Sequence, residues 1–342
     1  MERLASLFPT FVSGYKKLVE PLGQLGAFWT CIGQNNYDLL TCFKQQDALV
    51  GVVWFCIAVI VYSFVASVIT SNCSKVDQLW SITPWGFGWL FWYHHNLTSN
   101  GAAHPRLLLV CCLMTAWGLR LTFNFWRRGG YSYPPEEDYR WPVLRKIIGN
   151  WFLFLLFNIS FIASYQNILL LLIALPAYGV MKDESTAITT PDLVVAVSLL
   201  ALLVIETVAD QQHYDFQEYK HSLSESMKKK HPNPDIRDGF LRGGLFRFSR
   251  HPNYFAEQSI WFCVYLFTVV NSASTPESYI NVYSTGAILL VLLFQGSVSF
   301  SEGLTAKKYP AYATYQRTTS QMIPFFPLQL PAQGNGSRKS TR

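Results

Sequence analysis

Residues Ala48–Thr70 read ALVGVVWFCIAVIVYSFVASVIT, an apolar run without a charged side chain. A helix needs roughly 20 apolar residues to cross a hydrocarbon core of about 30 Å, so this run predicts a membrane-spanning helix. The whole chain is apolar in the same way, because 50% of its 342 residues are hydrophobic and only 14% are charged. That balance is typical of a membrane protein rather than a soluble domain.

Six further apolar stretches follow along the chain. They cover residues 76–93, 105–126, 150–180, 192–210, 254–270 and 280–301. We therefore predict an all-α fold, a polytopic transmembrane helical bundle of about seven spans within a range of six to eight. The stretch 76–93 is short and contains Pro84. The stretch 150–180 exceeds one straight crossing, so we expect it to tilt, project from the bilayer or break near Pro176.

The charged residues indicate an orientation. Lys and Arg concentrate after the third and fifth stretches and near the C-terminus, whereas residues 181–191 contain one Lys and residues 271–279 contain none. Basic connections stay in the cytosol, so the alternation places residues 181–191 and 271–279 on the other side. Because the net charge of +6 lies in these connections, we do not expect nucleic acid as a partner.

Several common sites are not supported by the sequence. The seven cysteines form no Cys-x-x-Cys pair, and we expect neither a disulfide framework nor a zinc site or other metal. The chain has no phosphate-binding P-loop and no Gly-x-Gly-x-x-Gly after a strand, which disfavours a soluble nucleotide-binding domain. It also lacks the clustered histidine boxes of membrane di-iron enzymes.

Charged residues within the predicted spans mark a candidate site. Burying a charge in hydrocarbon costs at least roughly 2.5–3.5 kcal/mol, so such residues are expected to serve a purpose. They are Asp77, Arg120, Glu206, Asp210, Glu257 and Glu302. Each also has a structural interpretation as a residue that pairs with a neighbour or reaches the interface from a helix end.

The strongest motif is DGFLRGGLFRFSRHPNYFAE, residues 238–257. Pro252 suits the first turn of a helix, whose free N–H groups and positive dipole end attract anions. The basic residues beside it are Arg247, Arg250 and His251. This arrangement predicts a site for a phosphate-bearing cofactor, and Asn253, Tyr254 and Glu257 add polar groups that a simple cytosolic anchor does not need.

Three tyrosines follow Glu302 at every third position: Tyr309, Tyr312 and Tyr315. This spacing predicts that they share one face of a short helix. Tyrosines near a membrane boundary are most often interfacial anchors, so we expect that role here.

The residues resemble a known family. GGLFRFSRHPNYFAE, Glu302 and KKYPAYATYQRTTSQMIPFFP are similar to the steroid 5-alpha-reductase C-terminal domain and, more narrowly, to its uncharacterised DUF1295 branch. The pieces VDQLWS, WGLRL, EDYR and ETVADQQ extend the resemblance over residues 75–327. It implies a helical membrane domain whose C-terminal spans hold NADPH from the cytosolic side, with a lipid substrate entering between helices.

The resemblance also implies roles for individual residues. Asn253 and Glu257 match polar positions of the cofactor-binding helix, and Asp210 matches an acidic position before the cytosolic loop. Arg250 and His251 belong to the Arg-His-Pro-Asn-Tyr motif. The expected cofactor-binding residues are Arg120, Glu206, Asp210, Arg247, Arg250, His251, Asn253, Tyr254 and Glu302, and the expected catalytic acids are Asp77 and Glu257. We expect substitution of Asn253 or Arg250 by Ala to abolish cofactor binding while leaving folding intact.

These expectations combine into a leading hypothesis. The chain is expected to reduce a carbon-carbon double bond conjugated to a carbonyl in a steroid, sterol, polyprenoid or fatty-acyl lipid. It would thus be an oxidoreductase of the CH–CH group, similar to 3-oxo-5-alpha-steroid 4-dehydrogenase. Hydride goes to the beta carbon while an acid hydrogen-bonds the oxygen. In a eukaryote we expect the endoplasmic reticulum, with the cofactor site facing the cytosol.

Two alternatives stay open. A similar Arg-His-Pro-x-Tyr stretch occurs in membrane isoprenylcysteine methyltransferases, which bind S-adenosylmethionine, so the motif alone does not choose the cofactor. The other alternative is a non-catalytic lipid-binding protein of the same fold. The expected organisation is a non-spanning segment at 1–46, a transmembrane domain at 47–327 whose cofactor half starts at about 200, and a disordered tail at 328–342.

Overall fold

The computed structural model describes residues 15–16, 18–132, 136–270 and 280–328. In these ranges every regular element is helical. The elements are α1 (Leu25–Gln34), α2 (Leu39–Gln45), α3 (Ala48–Thr70), α4 (Lys75–Trp80), α5 (Thr83–Thr98), α6 (Pro105–Arg127), α7 (Arg140–Ile148), α8 (Trp151–Met181), α9 (Thr190–Ser222), α10 (Glu225–Lys230), α11 (Pro234–Asp238), α12 (Pro252–Leu266), α13 (Thr285–Lys308) and α14 (Tyr312–Thr318). The predicted tail lies outside the described residues from position 329 onward, as does the connection 271–279.

Five of these helices are long and apolar enough to cross a membrane. They are α3, α6, α8, α9 and the segment Val282–Lys308, which contains α13. The prediction of an all-helical membrane protein is confirmed for the described residues. The other two predicted spans correspond to shorter helices, because α5 has 16 residues and α12 has 15.

The predicted second stretch, 76–93, is not one helix. It divides into α4 and α5, with Ser81 and Ile82 between them. Pro84 lies in the first turn of α5, where its missing N–H costs nothing. A proline in the interior of a continuous helix would remove a hydrogen bond and clash with the preceding turn, so the chain starts a new helix there.

A break near Pro176 was one of three alternatives for the fourth stretch, and the helix does not break there. Pro176 lies inside α8 and is buried, and the helix continues past it to Met181. The irregularity is instead a π-helical segment at Asn158–Tyr165. A π segment holds extra residues in a turn, and this one gives a long helix a local change of register.

The described chain divides into two compact units. The first comprises Met1–Leu203 with Gln258–Leu293, and the second comprises Val204–Glu257 with Phe294–Arg342. In the first unit α8 packs against α5, α3 and α6. Buried residues make up 61% of the apolar window of α8 but only 28% of that of α3. The helix α8 is therefore central to this unit, while much of α3 faces outward.

Ionic contacts join helix ends in the first unit. Arg106 at the start of α6 is fully buried and pairs with Asp192 at 2.9 Å and with Asp183 at 2.6 Å. It also donates to the backbone oxygen of Phe267. Because two carboxylates and a carbonyl surround the guanidinium, its burial is compensated.

The expectation of no disulfide is wrong at one place. Cys31 and Cys42 form a disulfide that joins α1 to α2, with their Cα atoms 5.8 Å apart. The intervening turn brings the two helices together, because Asn36 and Tyr37 both have positive φ. Cysteine spacing alone did not reveal this turn, since such pairs are recognised only after the backbone path is known.

The second unit contains α9 from Val204, α10, α11, the start of α12, the end of α13 and α14. A short loop follows α11 and is folded around the carboxylate of Asp235. That carboxylate accepts the backbone N–H groups of Arg242 and Gly243 and pairs with the Arg242 guanidinium at 3.0 Å. Gly239 begins the loop with φ of 88°, which favours glycine.

We predict that Gly286→Ala destabilises the first unit. A Cβ at Gly286 would lie 2.3 Å from the backbone of Leu172 in α8, and overpacking typically costs about 1–3 kcal/mol. The thermal unfolding midpoint in detergent should therefore fall. The matched control is Gly296→Ala in the same helix, where nothing lies within 4 Å. Equal midpoints for the two variants would contradict the close approach of α13 and α8.

Candidate functional site

The carboxylate of Glu302 is the centre of the second unit's polar site. Arg250 binds both of its oxygens, with Nε 2.7 Å from Oε1 and Nη2 3.0 Å from Oε2. The His251 Nε2 atom lies 2.8 Å from Oε1. Tyr312 and Gln316 donate to the same carboxylate at 3.2 and 3.0 Å. These donors compensate the burial of a side chain that is only 5% exposed.

Arg250 is committed to structural contacts beyond Glu302. Its side-chain Nη1 donates to the backbone oxygens of Gln316 and Thr319. The backbone N–H of Arg250 donates to Ser320 O at 2.8 Å. The side chain is 8% exposed. Arg250 thus fastens the Arg-His-Pro motif to the C-terminal segment, and this geometry does not support the expected role as a direct phosphate ligand. For the same reason we expect Arg250→Ala to lower stability, in addition to any effect on cofactor binding.

His251 and Tyr254 form a stacked pair at the start of α12. Their rings lie 5.2 Å apart and nearly parallel, at 9°. The Phe294 ring packs edge-on against the Tyr254 ring, with the ring centroids 4.9 Å apart. Glu302 and this stack fix the His251 ring from two directions. The structure therefore brings together three predicted residues, namely His251, Tyr254 and Glu302.

The tyrosines after Glu302 are not the expected interfacial anchors. Tyr312 and Tyr315 are each 5% exposed and pack around Phe240. Burial raises the pKa of both phenols, and the nearby Glu302 carboxylate raises that of Tyr312 further. They therefore stay neutral hydrogen-bond donors, Tyr312 to Glu302 and Tyr315 to Phe246 O. Tyr312 and Tyr315 were expected to face the membrane interface. They face the protein interior instead, because the segment that carries them folds back onto the Arg-His-Pro motif.

The glycine-rich loop before the motif is held against α9. Gln212 Oε1 accepts the backbone N–H of Leu245 at 2.9 Å. Gly244 has φ of 61°, and a Cβ there would lie 2.4 Å from the same amide oxygen. One residue further along each segment, the Phe246 ring packs against the His213 ring of α9, with the centroids 6.0 Å apart. Glycine at 244 is thus required both by the backbone conformation and by the close contact with α9.

Arg247 is the available cation of this loop. Its side chain is exposed, and among the residues that the structure describes it has no ion-pair or hydrogen-bond partner. It lies in the short 3-10 turn Gly244–Arg247, five residues before Pro252. The sequence grouped Arg247 with Arg250, but the structure separates them into an exposed arginine and a buried one.

A polar face connects α9 and α12. Asn253 donates to Asp210 through a hydrogen bond of 3.1 Å. Leu245, which precedes α12, contacts Gln212, which follows Asp210. Both contacts hold the motif against the C-terminal half of α9.

Two further carboxyls lie one helical turn from this pair. Glu206 lies one turn before Asp210 on α9, and Glu257 lies one turn after Asn253 on α12. Their exposed fractions are 4% for Glu206 and 6% for Glu257. The pair Asp210–Asn253 is thus followed by two buried acids on facing helices.

Two predicted site residues belong to the first unit. Asp77 accepts the indole N–H of Trp141 at 2.9 Å, beside an apolar cluster of Cys73, Val76, Trp141, Phe154 and Ile162. This contact joins α4 to α7 and gives Asp77 a structural role. Arg120 lies on α6 and is partly buried.

Sequence reasoning missed Gln212, Ser249 and Gln316. Ser249 is fully buried and donates to Met322 O at 2.7 Å. These residues support the motif through hydrogen bonds to backbone or to Glu302, and no spacing rule distinguishes them from ordinary polar residues. Within the described ranges, no three His, Cys, Asp or Glu side chains group as a metal-ligand set.

The comparisons with known proteins identify relatives without assigned activity. The family described as "Protein of unknown function (DUF1295)" matches residues 63–319. A protein of Schizosaccharomyces pombe (strain 972 / ATCC 24843), "Uncharacterized protein C594.04c", is 36% identical over 263 residues. That alignment covers 75% of this chain and 74% of the yeast protein. No solved structure matches.

We predict that Arg250→Met severely destabilises the protein, because it leaves Glu302 buried without its main cation. Breaking a buried ion pair from one side typically costs about 3–5 kcal/mol. Thermal unfolding in detergent and the yield of monodisperse protein measure the effect. Arg317→Ala is the control, since Arg317 is exposed and, within the described ranges, makes one long hydrogen bond of 3.4 Å to the Thr314 hydroxyl. Similar behaviour of both variants would contradict the assigned role of Arg250.

Proposed function

Because the chain belongs to the DUF1295 family, we propose that it is a membrane-embedded, NADPH-dependent reductase of a lipid double bond conjugated to a carbonyl. The observation that carries the proposal is the set of polar residues that the second unit holds near the start of α12. It comprises the exposed Arg247, the hydrogen-bonded pair Asp210–Asn253 and the buried acids Glu206 and Glu257. These groups suit a long cofactor that has a charged end and a neutral end.

The residues present fit the polar groups of NADPH. Arg247 supplies an exposed cation, and the first turn of α12 presents backbone N–H groups with a positive dipole end. Asn253 is the amide that would orient the neutral end of the cofactor beside Asp210. Arg250 and Glu302 contribute by fixing the start of α12.

Bound NADPH supplies a hydride, and the protein's own residues supply orientation and a proton. The hydride would go to the beta carbon, and Glu257 would release its proton to the enolate that results. We assign Glu257 as the acid that hydrogen-bonds the carbonyl oxygen while enolate charge develops. Asp77 accepts the indole N–H of Trp141 in the first unit, whereas Glu257 lies one turn after Asn253 in the second unit, so Glu257 is the preferred of the two predicted acids. The spans exclude bulk water from this step.

The proposal includes an orientation. Seven crossings, counting α5 and α12 as short spans, place the basic connections and the cofactor face in the cytosol. The Cys31–Cys42 disulfide then lies on the opposite side, and an oxidising compartment such as the lumen of the endoplasmic reticulum favours it. Charge and redox chemistry thus support the same orientation independently.

Ligand-dependent stabilisation tests the cofactor. We expect the thermal unfolding midpoint of the detergent-purified protein to rise with NADPH, because ligand at about 100 times its dissociation constant stabilises by roughly 2.7 kcal/mol. NADH and S-adenosylmethionine are the comparison ligands. A shift with S-adenosylmethionine alone would favour a methyltransferase, and no shift with any ligand in folded protein would favour a non-catalytic lipid-binding protein.

Arg247→Ala locates the binding site within the same assay. Losing one charge-assisted hydrogen bond of about 1.5–3 kcal/mol should weaken NADPH binding at least about tenfold without changing the unliganded midpoint. Arg237→Ala is the matched control, because Arg237 is 50% exposed and lies 3.8 Å from Asp238. Equal NADPH affinities in both variants would remove Arg247 from the proposed site.

A further inference from the structure

The outer face of α3 carries an apolar groove in the first unit. Its volume is about 980 Å³, and α1, α2, α3 and α5 contribute its walls. Aromatic side chains line the end near the start of α3, and aliphatic ones line the rest. Examples are Phe28, Trp29, Phe43 and Trp54 at the first end and Val61 and Ile69 beyond. Since α3 is uncharged and largely unburied within the protein, this groove opens toward bilayer hydrocarbon.

A polar cup lies at the start of the same helix. Its volume is about 380 Å³. The side chains that define it are Glu20, Gln24, Asp47, Tyr178, Lys182 and Tyr283. Asp47 caps α3 and accepts hydrogen bonds from Tyr178 at 3.0 Å and from Lys182 at 2.7 Å. Lys182 Nζ also lies over the Tyr178 ring at 5.4 Å. The cup therefore presents carboxylates, an ammonium group and aromatic faces together.

The cup and the groove adjoin each other at two helices, α1 and α3. Gln24 lines the cup and Phe28 the groove, one turn apart at α1. Asp47 lines the cup and Gly51 the groove, one turn apart at α3. From Gly51 to Ile69 the groove follows α3 for about 27 Å, at about 1.5 Å per residue, which approaches the thickness of the hydrocarbon core.

The walls of the groove are fixed before any ligand binds. The Cys31–Cys42 disulfide joins α1 and α2, and Trp54 donates its indole N–H to Leu25 O at 3.1 Å. Trp29 packs edge-on against Trp54 at 5.0 Å. A preformed site loses little ordering entropy on binding.

We propose that the first unit binds one zwitterionic glycerophospholipid, with its headgroup in the cup and an acyl chain in the groove. The charges fit this ligand: Lys182 can donate to the phosphate, while Glu20, Asp47 and the tyrosine rings attract the choline or ethanolamine cation. Among the described residues Glu20 contacts no cation, so its carboxylate is available. This site is separate from the proposed reductase site and does not depend on that function.

A photoactivatable phosphatidylcholine with a diazirine in its acyl chain tests the proposal on the full-length protein in detergent. Label should map to residues 54–69, and unlabelled phosphatidylcholine should compete better than anionic phosphatidylglycerol. Val61→Trp fills the groove and should remove most of the label. Val197→Trp is the matched control, because Val197 is an exposed valine of α9 and does not line the groove. Lys182→Ala should weaken competition about tenfold, the effect of losing one charge-assisted contact.

Two results would overturn the proposal. Equal labelling of residues 54–69 and 190–203, unchanged by Val61→Trp, would mean ordinary lipid contact around the protein. Equal competition by phosphatidylglycerol would mean that the cup does not recognise a zwitterion. The lipid competition uses the unaltered chain, so it decides the matter even where Val61→Trp lowers the yield of folded protein.

Discussion

The buried carboxylate of Glu302 is the contact on which the second unit depends. Glu302 lies near the end of α13, and it binds Arg250 and His251 just before α12 and Tyr312 and Gln316 in α14. A carboxylate removed from water is tolerated only when its oxygens are fully hydrogen-bonded, and here donors from two other segments meet that need. The position of α12, and with it the position of Asn253 and Glu257, follows from this contact.

The membrane fold was largely predictable, because hydrocarbon imposes length and apolarity on every span. The run Ala48–Thr70 matches α3 at both ends. The failures were local: the division of the stretch 76–93 at Pro84, the π segment in place of a break at Pro176, and the Cys31–Cys42 disulfide. Each depends on packing or on a turn between helices, which apolar periodicity does not report.

Several of the candidate site residues that the sequence predicted do lie together. The sequence did not predict which contacts each of them makes. Arg247 and Arg250 read alike in the sequence, yet one is exposed and the other is buried against Glu302. Likewise, Tyr312 had the spacing of an interfacial residue but binds a carboxylate. Tertiary contacts decide which partner each of two identical side chains binds. For this reason the sequence indicated which residues to consider, and the structure separated the buried contacts from the exposed side chains.

The central claim is that this site reduces a conjugated lipid double bond with hydride from NADPH. The most direct measurement incubates the purified protein, reconstituted with a membrane lipid extract, with NADPH deuterated at the transferable position. Mass spectrometry should find deuterium on the beta carbon of a newly saturated lipid carbonyl compound, and Glu257→Leu should reduce its formation by about 10²–10³. NADPH that binds without deuterium appearing in any lipid would contradict the account.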